Sequence, residues 1–303
     1  MRIPRMLETA RYYLSEHPSI VNFRWSHDNV WGSTWSFLLA AIASFVIGAA
    51  ALQLLVNLFI RHSKGRRRPP IPLGPIPALH SLAVTLASAV IFLGILLSAM
   101  AEIRDTRWSW RRTRRTPFQW LLCFPLGTRP SGRVFFWSYA FYLSRWLHLG
   151  RTFLEILRGR GLSPFRLLNQ SMLLCMSFLW LEFSQSFQVL AILVTTLLYC
   201  VVYGYRFWTA VGMPGACFPL VANCQVVALA CNLLCHFAVL FLHLLNGGCN
   251  GIGAWVFNSV LNGAILMLVL RFYVHLQWKD KDKRVGSGPH VVSTRVETRD
   301  AVK

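Results

Sequence analysis

The chain has 303 residues, of which 55% are hydrophobic and only 14% are charged. This balance excludes a soluble globular domain of this size and is typical of a protein that crosses a membrane several times. The formal net charge of +20 requires either an anionic partner or an anionic surface.

The first thirty residues contain several arginines and glutamates and no continuous apolar core, so we expect no cleavable signal peptide. Basic residues then cluster at 61–68, at 104–115 and beyond Lys279. Each cluster adjoins a predicted helix end, which favours anchoring to the anionic headgroups of the lipid bilayer over binding of nucleic acid. The alternative for these clusters is an anionic substrate such as a coenzyme A ester.

A bilayer core about 30 Å thick requires roughly 20 apolar residues per helix. Such stretches occupy residues 35–60, 78–101, 134–157, 187–207, 216–244 and 252–274. A shorter segment, Leu167 to Leu181, crosses as well if its flanking amides lie in protein rather than in lipid. The sequence therefore predicts an all-α integral membrane protein with seven transmembrane helices, or six without the short segment.

The composition changes only once along the chain. Residues 1–275 form the predicted membrane domain, and residues 276–303 are a polar, charged tail with nothing to bury, which we expect to be disordered. We find no internal repeat of fixed period, so a single membrane domain followed by a tail is the simplest organisation.

Two predicted helices carry rows of polar residues. At 100° per residue, the row on the sixth helix spans about 40° and consists of Gln225, Asn232, His236 and His243. The row on the third helix spans about 80° and consists of Arg145, His148, Thr152 and Glu155. Asn258 and Asn262 repeat the pattern on the seventh helix. Such groups normally face a bundle interior or a wet cavity, which predicts a partly polar tunnel. Interhelical hydrogen bonding is the alternative for each residue taken alone.

Cysteines and histidines also raise the question of a metal site. Cys224, Cys231 and Cys235 share one helix face, but they form no compact Cys-x-x-Cys pair and His236 points elsewhere. This spacing argues against zinc, and we expect no metal.

Three segments carry a resemblance to a known family. They are FLWLEFSQSFQVLAILVTTLLYCVVYGYRFW at 178–208, NCQVV at 223–227 and GGCNGIGAWVFNSVLNGAIL at 247–266. The chain resembles the ELO family of fatty-acid elongases, in particular its plant members, from about Ser15 to Tyr273.

The resemblance implies seven helices in the endoplasmic reticulum membrane enclosing a narrow acyl tunnel. It implies a decarboxylative condensation of malonyl-CoA with a long acyl-CoA, which gives a 3-oxoacyl-CoA. No cofactor is implied beyond these two substrates, and the partners are the other enzymes of the elongation cycle.

The chain departs from the family at its histidines. The family's His-x-x-His-His box falls on Arg166, Asn169 and Gln170, and a further family histidine falls on Tyr199. The family's Lys-x-x-Glu-x-x-Asp-Thr motif becomes Arg145, His148, Arg151 and Thr152. Of a Gln-x-x-Gln pair, Gln225 is kept and the second position is Ala228.

The substituted residues limit the chemistry. Amides such as Asn169 and Gln170 can donate hydrogen bonds to an oxyanion but cannot act as nucleophile or base. Arg166 suits a phosphate or a carboxylate. The remaining candidates for covalent or acid-base work are His148, Cys175, Cys200, His236 and His243. Two functions stay open: a condensing enzyme with an altered site, and a non-catalytic acyl-binding or scaffold subunit.

Two cysteines lie in predicted loops. Seven crossings put the loops of Cys123 and Cys249 on the amino-terminal side, which the family resemblance places in the oxidising lumen. A disulfide between them is therefore expected.

Overall fold

The computed structural model describes residues 8–62, 73–113, 116–159, 161–213, 218–245, 247–264, 266–267 and 271. The chain divides into two compact units, Met1–Ser259 and Val260–Lys303, and the first unit carries the architecture described below. The predicted disordered tail at 276–303 and most of the basic cluster at 61–68 lie outside the described residues.

The described residues of the first unit form six long helices. They are α1 (Trp35–His62), α2 (Ile76–Thr113), α3 (Arg133–Leu157), α4 (Pro164–Glu182), α5 (Gln188–Ala210) and α6 (Phe218–Leu245). A further helix, α7, covers residues 252–264. Apart from one isolated bridge between Arg24 and Ser131, the regular structure of the described part of the chain is helical.

Four of these helices contain stretches that are long and apolar enough to cross a membrane: Trp35–Phe59, Ile76–Thr106, Gln188–Ala210 and Asn223–Leu245. The chain is thus an all-α membrane protein. Helices α3 and α4 have 25 and 19 residues, which gives about 37 Å and about 28 Å at 1.5 Å per residue, close to the thickness of the bilayer core. Both carry ionisable residues, and seven crossings stay a prediction.

Helix α2 is longer than the sequence predicted. We expected its apolar stretch to end at residue 101 and a loop to follow, but the helix continues to Thr113 through the arginine-rich segment. The physical reason is that arginine is a good helix former and that no glycine or proline interrupts the segment. A capping box at Thr116 and Gln119 starts the next short helix, Pro117–Leu122.

Helices α2 and α3 form the centre of the bundle. Helix α2 packs against α3 and α5, and α3 packs also against α1 and α4. The close approach of α2 and α3 requires a glycine, because a Cβ at residue 94 would overlap the indole ring of Trp137. The indole is held from the other side by its Nε1, which donates to the Leu14 carbonyl oxygen at 2.8 Å. The glycine therefore allows α2 and α3 to approach closely at this level of the bundle.

One end of the bundle is closed by hydrogen bonds between loops. The backbone N–H of Phe124 donates to Ser186 Oγ at 2.9 Å, and the backbone N–H of Asn250 donates to the Phe124 carbonyl at 3.0 Å. The indole Nε1 of Trp25 donates to Glu182 Oε2 at 3.0 Å. We call these residues, with the loops that carry them, the tied end.

A disulfide belongs to the tied end. The structure joins Cys123 to Cys249, with their Cα atoms 5.1 Å apart. Both residues are buried, with 3% and 1% of their surface exposed. The bond links the loop after α2 to the loop after α6, across 126 residues of sequence.

Candidate functional site

The polar row on α3 is buried and faces α5. Arg145, His148, Thr152 and Glu155 are each less than a tenth exposed. The Arg145 Nη1 donates to the Tyr199 hydroxyl at 3.0 Å, and His148 Nδ1 lies 3.0 Å from the Tyr203 hydroxyl. The row predicted from helical periodicity therefore meets two tyrosines one turn apart on the neighbouring helix.

His148 is enclosed by aromatic rings. The centroid of its imidazole lies 4.6 Å from that of the Tyr199 ring and 5.2 Å from that of the Tyr203 ring. The Tyr203 hydroxyl can accept from a protonated Nδ1 or donate to an unprotonated one. When it accepts, the lone pair of the imidazole is on Nε2, the nitrogen that a nucleophile or base would use.

Glu155 connects α3 to α4. Its Oε1 accepts from Arg151 Nε at 3.1 Å and Nη2 at 3.0 Å, while its Oε2 lies 3.0 Å from Arg166 Nη1. One carboxylate thus holds two guanidinium groups, and Arg166, the first position of the substituted histidine box, has an anionic partner inside the protein.

The two amides of the substituted box lie on the next turn of α4. Asn169 and Gln170 are both half-buried, and the apolar part of the helix beyond them is largely buried. The structure therefore places Arg166 at the α3–α4 contact and leaves the amides at a partly accessible depth, where they can donate hydrogen bonds to a bound group.

A basic cavity of about 380 Å³ opens at the end of the bundle opposite the tied end. It lies between the beginning of α2 and the ends of α3 and α5, and its polar lining consists of His80, Ser81, Arg151, Glu155, Arg158, Tyr203, Arg206 and Thr209. Glu155 of the buried row belongs to this lining, and Tyr203 both lines the cavity and contacts His148.

The sequence did not single out three of the four basic residues of this lining. His80, Arg158 and Arg206 contribute to the cavity, and the signal that could have found them is their position near helix ends on one side of the membrane. His80 Nε2 also lies 2.8 Å from the Leu147 carbonyl oxygen, which joins the start of α2 to α3.

The cysteine candidates lie elsewhere. Cys200 Sγ is 3.8 Å from the Thr85 carbonyl oxygen, so the thiol faces α2. Cys175, on α4, is a half-buried free cysteine. Of the candidates for covalent or acid-base work, His148 is the one that the structure places in the α3–α5 row.

The row on α6 is not part of the α3–α5 site. His236 is 6% exposed, its Nδ1 lies 2.8 Å from Ser259 Oγ, and its ring contacts Phe187. His243 Nδ1 accepts the backbone N–H of Cys249 at 2.8 Å. These contacts place both histidines at the tied end.

The separation of the two rows follows from helix geometry. Phe187 precedes Tyr199 by twelve residues, which corresponds to about 18 Å along α5. The other two members of the α6 row are less enclosed, since Gln225 is exposed and Asn232 is half-buried. The structure thus places His148 and His236 in two separate contacts, and a tunnel lined by both rows stays a prediction.

Comparisons with known proteins identify sequences to which the chain is similar. The sequence profile of the GNS1/SUR4 (ELO) family matches residues 35–285. A protein of Arabidopsis thaliana described as "Fatty acid elongase 3-like" is 58% identical over 273 residues, which cover 89% of this chain and 93% of that protein. No solved structure matches the chain.

Proposed function

Because the chain belongs to the GNS1/SUR4 (ELO) family, we propose that it condenses a long-chain acyl-CoA with malonyl-CoA. The new carbon–carbon bond joins the acyl carbonyl carbon to the malonyl methylene carbon, while carbon dioxide and coenzyme A leave and a 3-oxoacyl-CoA is formed. The observation that carries this proposal is the position of Tyr203, which lines the basic cavity and contacts His148 in the buried row.

The basic cavity is the proposed binding site for the coenzyme A part of the substrate. Arg151, Arg158 and Arg206 line it, and guanidinium groups bind phosphate oxygens through paired hydrogen bonds. With the phosphates held there, an acyl chain can extend between α3 and α5 into the apolar interior of the bundle.

His148 is the proposed nucleophile. With Tyr203 accepting from Nδ1–H, the Nε2 lone pair can attack the thioester carbon and form an acyl-imidazolium, while the sulfur of coenzyme A leaves as a thiolate with the bonding electrons. Decarboxylation of malonyl-CoA then supplies the carbon nucleophile, which takes the acyl group and frees His148. Asn169 and Gln170 are the proposed hydrogen-bond donors to the carbonyl oxygen in these steps.

Arg166 receives a different role from the one its position in the sequence suggested. We propose that Arg166 holds α4 against α3 through its ion pair with Glu155, and that the arginines of the cavity bind the phosphates. Cys200 faces α2 and takes no part in the proposed chemistry.

We place the protein in the endoplasmic reticulum membrane, where the other enzymes of the elongation cycle would receive its product. Seven crossings would put the tied end in the lumen, where a disulfide persists, and the basic cavity on the opposite side, where acyl-CoA and malonyl-CoA would enter.

A second function, a non-catalytic acyl-binding or scaffold subunit of the elongase complex, is favoured by one observation. The three positions of the family's histidine box hold Arg166, Asn169 and Gln170, and the first of these is engaged in an ion pair within the protein. A scaffold would retain the cavity and the helix surfaces without making product.

Product formation from labelled malonyl-CoA tests the proposal. The full chain, purified in lipid nanodiscs, is offered acyl-CoA esters of increasing length, and 3-oxoacyl-CoA is measured. His148→Gln should lower the rate by roughly a million-fold, as expected for loss of a nucleophile, whereas the matched control Cys200→Ser should leave it unchanged. If the wild type makes no product with any acyl chain, and supports elongation in cells only beside an active elongase, the scaffold function is correct.

A further inference from the structure

Arg145 lies at the middle of α3. Twelve residues separate it from each end of the helix, Arg133 and Leu157, which corresponds to about 18 Å on either side. Only 3% of its surface is exposed. If α3 crosses the bilayer, this guanidinium sits near the membrane midplane, where a charged side chain is costly and by default has a functional role.

The contacts of Arg145 within the described residues are with neutral groups. Its Nη1 donates to the Tyr199 hydroxyl, and its guanidinium carbon lies 4.0 Å from the Phe141 ring centroid and 4.9 Å from that of Tyr199. Its Nε and Nη2 are buried and have no hydrogen-bond partner in the described part of the chain. Aromatic faces stabilise a cation only partly, so the charge and two donors stay uncompensated.

The carboxylate of the same row does not serve Arg145. Glu155 is ten residues further along α3, about 15 Å by helical rise, and it already binds Arg151 and Arg166. The charge of Arg145 therefore calls for an anion that is not Glu155.

The two unpartnered nitrogens define the shape of that anion. The Nε–H and the neighbouring Nη2–H of a guanidinium point in parallel from one edge, and this fork matches the two oxygens of a carboxylate. The Nη1–Tyr199 bond fixes the orientation of the fork. His148 follows one turn later, so a carboxylate on the fork would lie beside the proposed reacting group.

We propose that Arg145 binds the carboxylate of a substrate inside the membrane, between α3 and α5. The inference rests on the proposed function and deepens it by naming the chemical group that this site recognises. Two sources share this chemistry: the malonyl group of malonyl-CoA, and a free long-chain fatty acid that enters alongside the helices.

Binding measured with two matched ligand pairs tests the inference. Malonyl-CoA is compared with acetyl-CoA, which lacks the carboxylate, and a long-chain fatty acid is compared with its methyl ester. The full chain in nanodiscs should bind the carboxylate member of one pair about 10- to 150-fold more tightly. Arg145→Gln should remove this preference and Arg145→Lys should retain part of it, because lysine keeps the charge without the fork.

Arg104→Gln is the control, since Arg104 is half-exposed on α2 and pairs with Asp105, and it should keep the full preference.

A preference within the coenzyme A pair identifies the malonyl group, and one within the fatty-acid pair identifies a free acid. Equal binding within both pairs by the wild type, or an undiminished preference in Arg145→Gln, overturns the inference. If Arg145→Gln does not fold, Arg145→Lys and the wild-type comparison decide. A protein that makes no 3-oxoacyl-CoA yet shows the preference refutes the proposed reaction alone.

Discussion

Replacing Glu155 with glutamine removes the charge that holds two guanidinium groups. The neutral glutamine oxygen can accept from one arginine only without the charge assistance, and its NH2 group then faces the donors of the other, so both charge-assisted contacts are lost. Glu155 is 7% exposed and contacts Arg151 and Arg166 within 3.1 Å. We therefore expect Glu155→Gln to destabilise the bundle more than the loss of either arginine.

The expected loss of stability follows from the number of ion pairs that Glu155 forms and from the solvent exposure of the arginines. A hydrogen bond to a charged group contributes about 1.5 to 3 kcal/mol, and the one-third exposure of both guanidiniums favours the lower end because solvent screens them. Two pairs give about 3 kcal/mol for Glu155→Gln, and one pair gives about 1.5 kcal/mol for Arg166→Gln. The double variant should then cost about 3 kcal/mol, because Arg166→Gln removes a pair that Glu155→Gln has already lost.

Equilibrium unfolding in mixed detergent micelles, followed by tryptophan fluorescence, measures these three variants. Strict additivity of the two single changes would refute the ion pair, as would a cost for Arg166→Gln above that for Glu155→Gln. The same variants separate structure from binding. If Arg166 bound coenzyme A phosphates, Arg166→Gln would raise the KM for acyl-CoA without lowering stability.

Three further predictions concern the frame of the bundle. Non-reduced digests should contain the peptides of Cys123 and Cys249 joined by a disulfide. Gly94→Ala should destabilise by about 1 to 3 kcal/mol because the new methyl overlaps the Trp137 ring, whereas Gly48→Ala should stabilise by up to about 1 kcal/mol because its surroundings leave room for a methyl. His236→Leu should destabilise by about 1 to 2 kcal/mol through the lost contact with Ser259 and leave acyl-CoA photo-crosslinking unchanged.

Each of these predictions has a result that contradicts it. Both thiols open to alkylation in freshly isolated membranes would exclude the disulfide. Equal effects of Gly94→Ala and Gly48→Ala on the free energy of unfolding would show that α2 and α3 leave room for a methyl group at residue 94. Weaker acyl-CoA labelling of a stably folded His236→Leu variant would show that the α6 row lines the acyl tunnel.

Local features of the sequence located most of the helices. The apolar stretches at 35–60 and 134–157 agree closely with α1 and α3, because the length of an apolar run is a local property that the bilayer thickness selects. Hydropathy also misplaced the end of α2, because a charged segment outside the hydrocarbon core can still be helical. Helical periodicity likewise grouped the buried row of α3, because side chains that share a face recur at a fixed angle.

Only the tertiary structure decided which faces meet. Nothing in the order of residues couples Arg145 to Tyr199, Glu155 to Arg166 or Cys200 to α2, because the rotation of one helix against another is set by packing. Packing also separated the α6 histidines from the α3 row, although both rows looked equally suited to a tunnel. Periodicity determines which residues share a face of a helix, and contacts between residues far apart in the chain determine which helix that face meets.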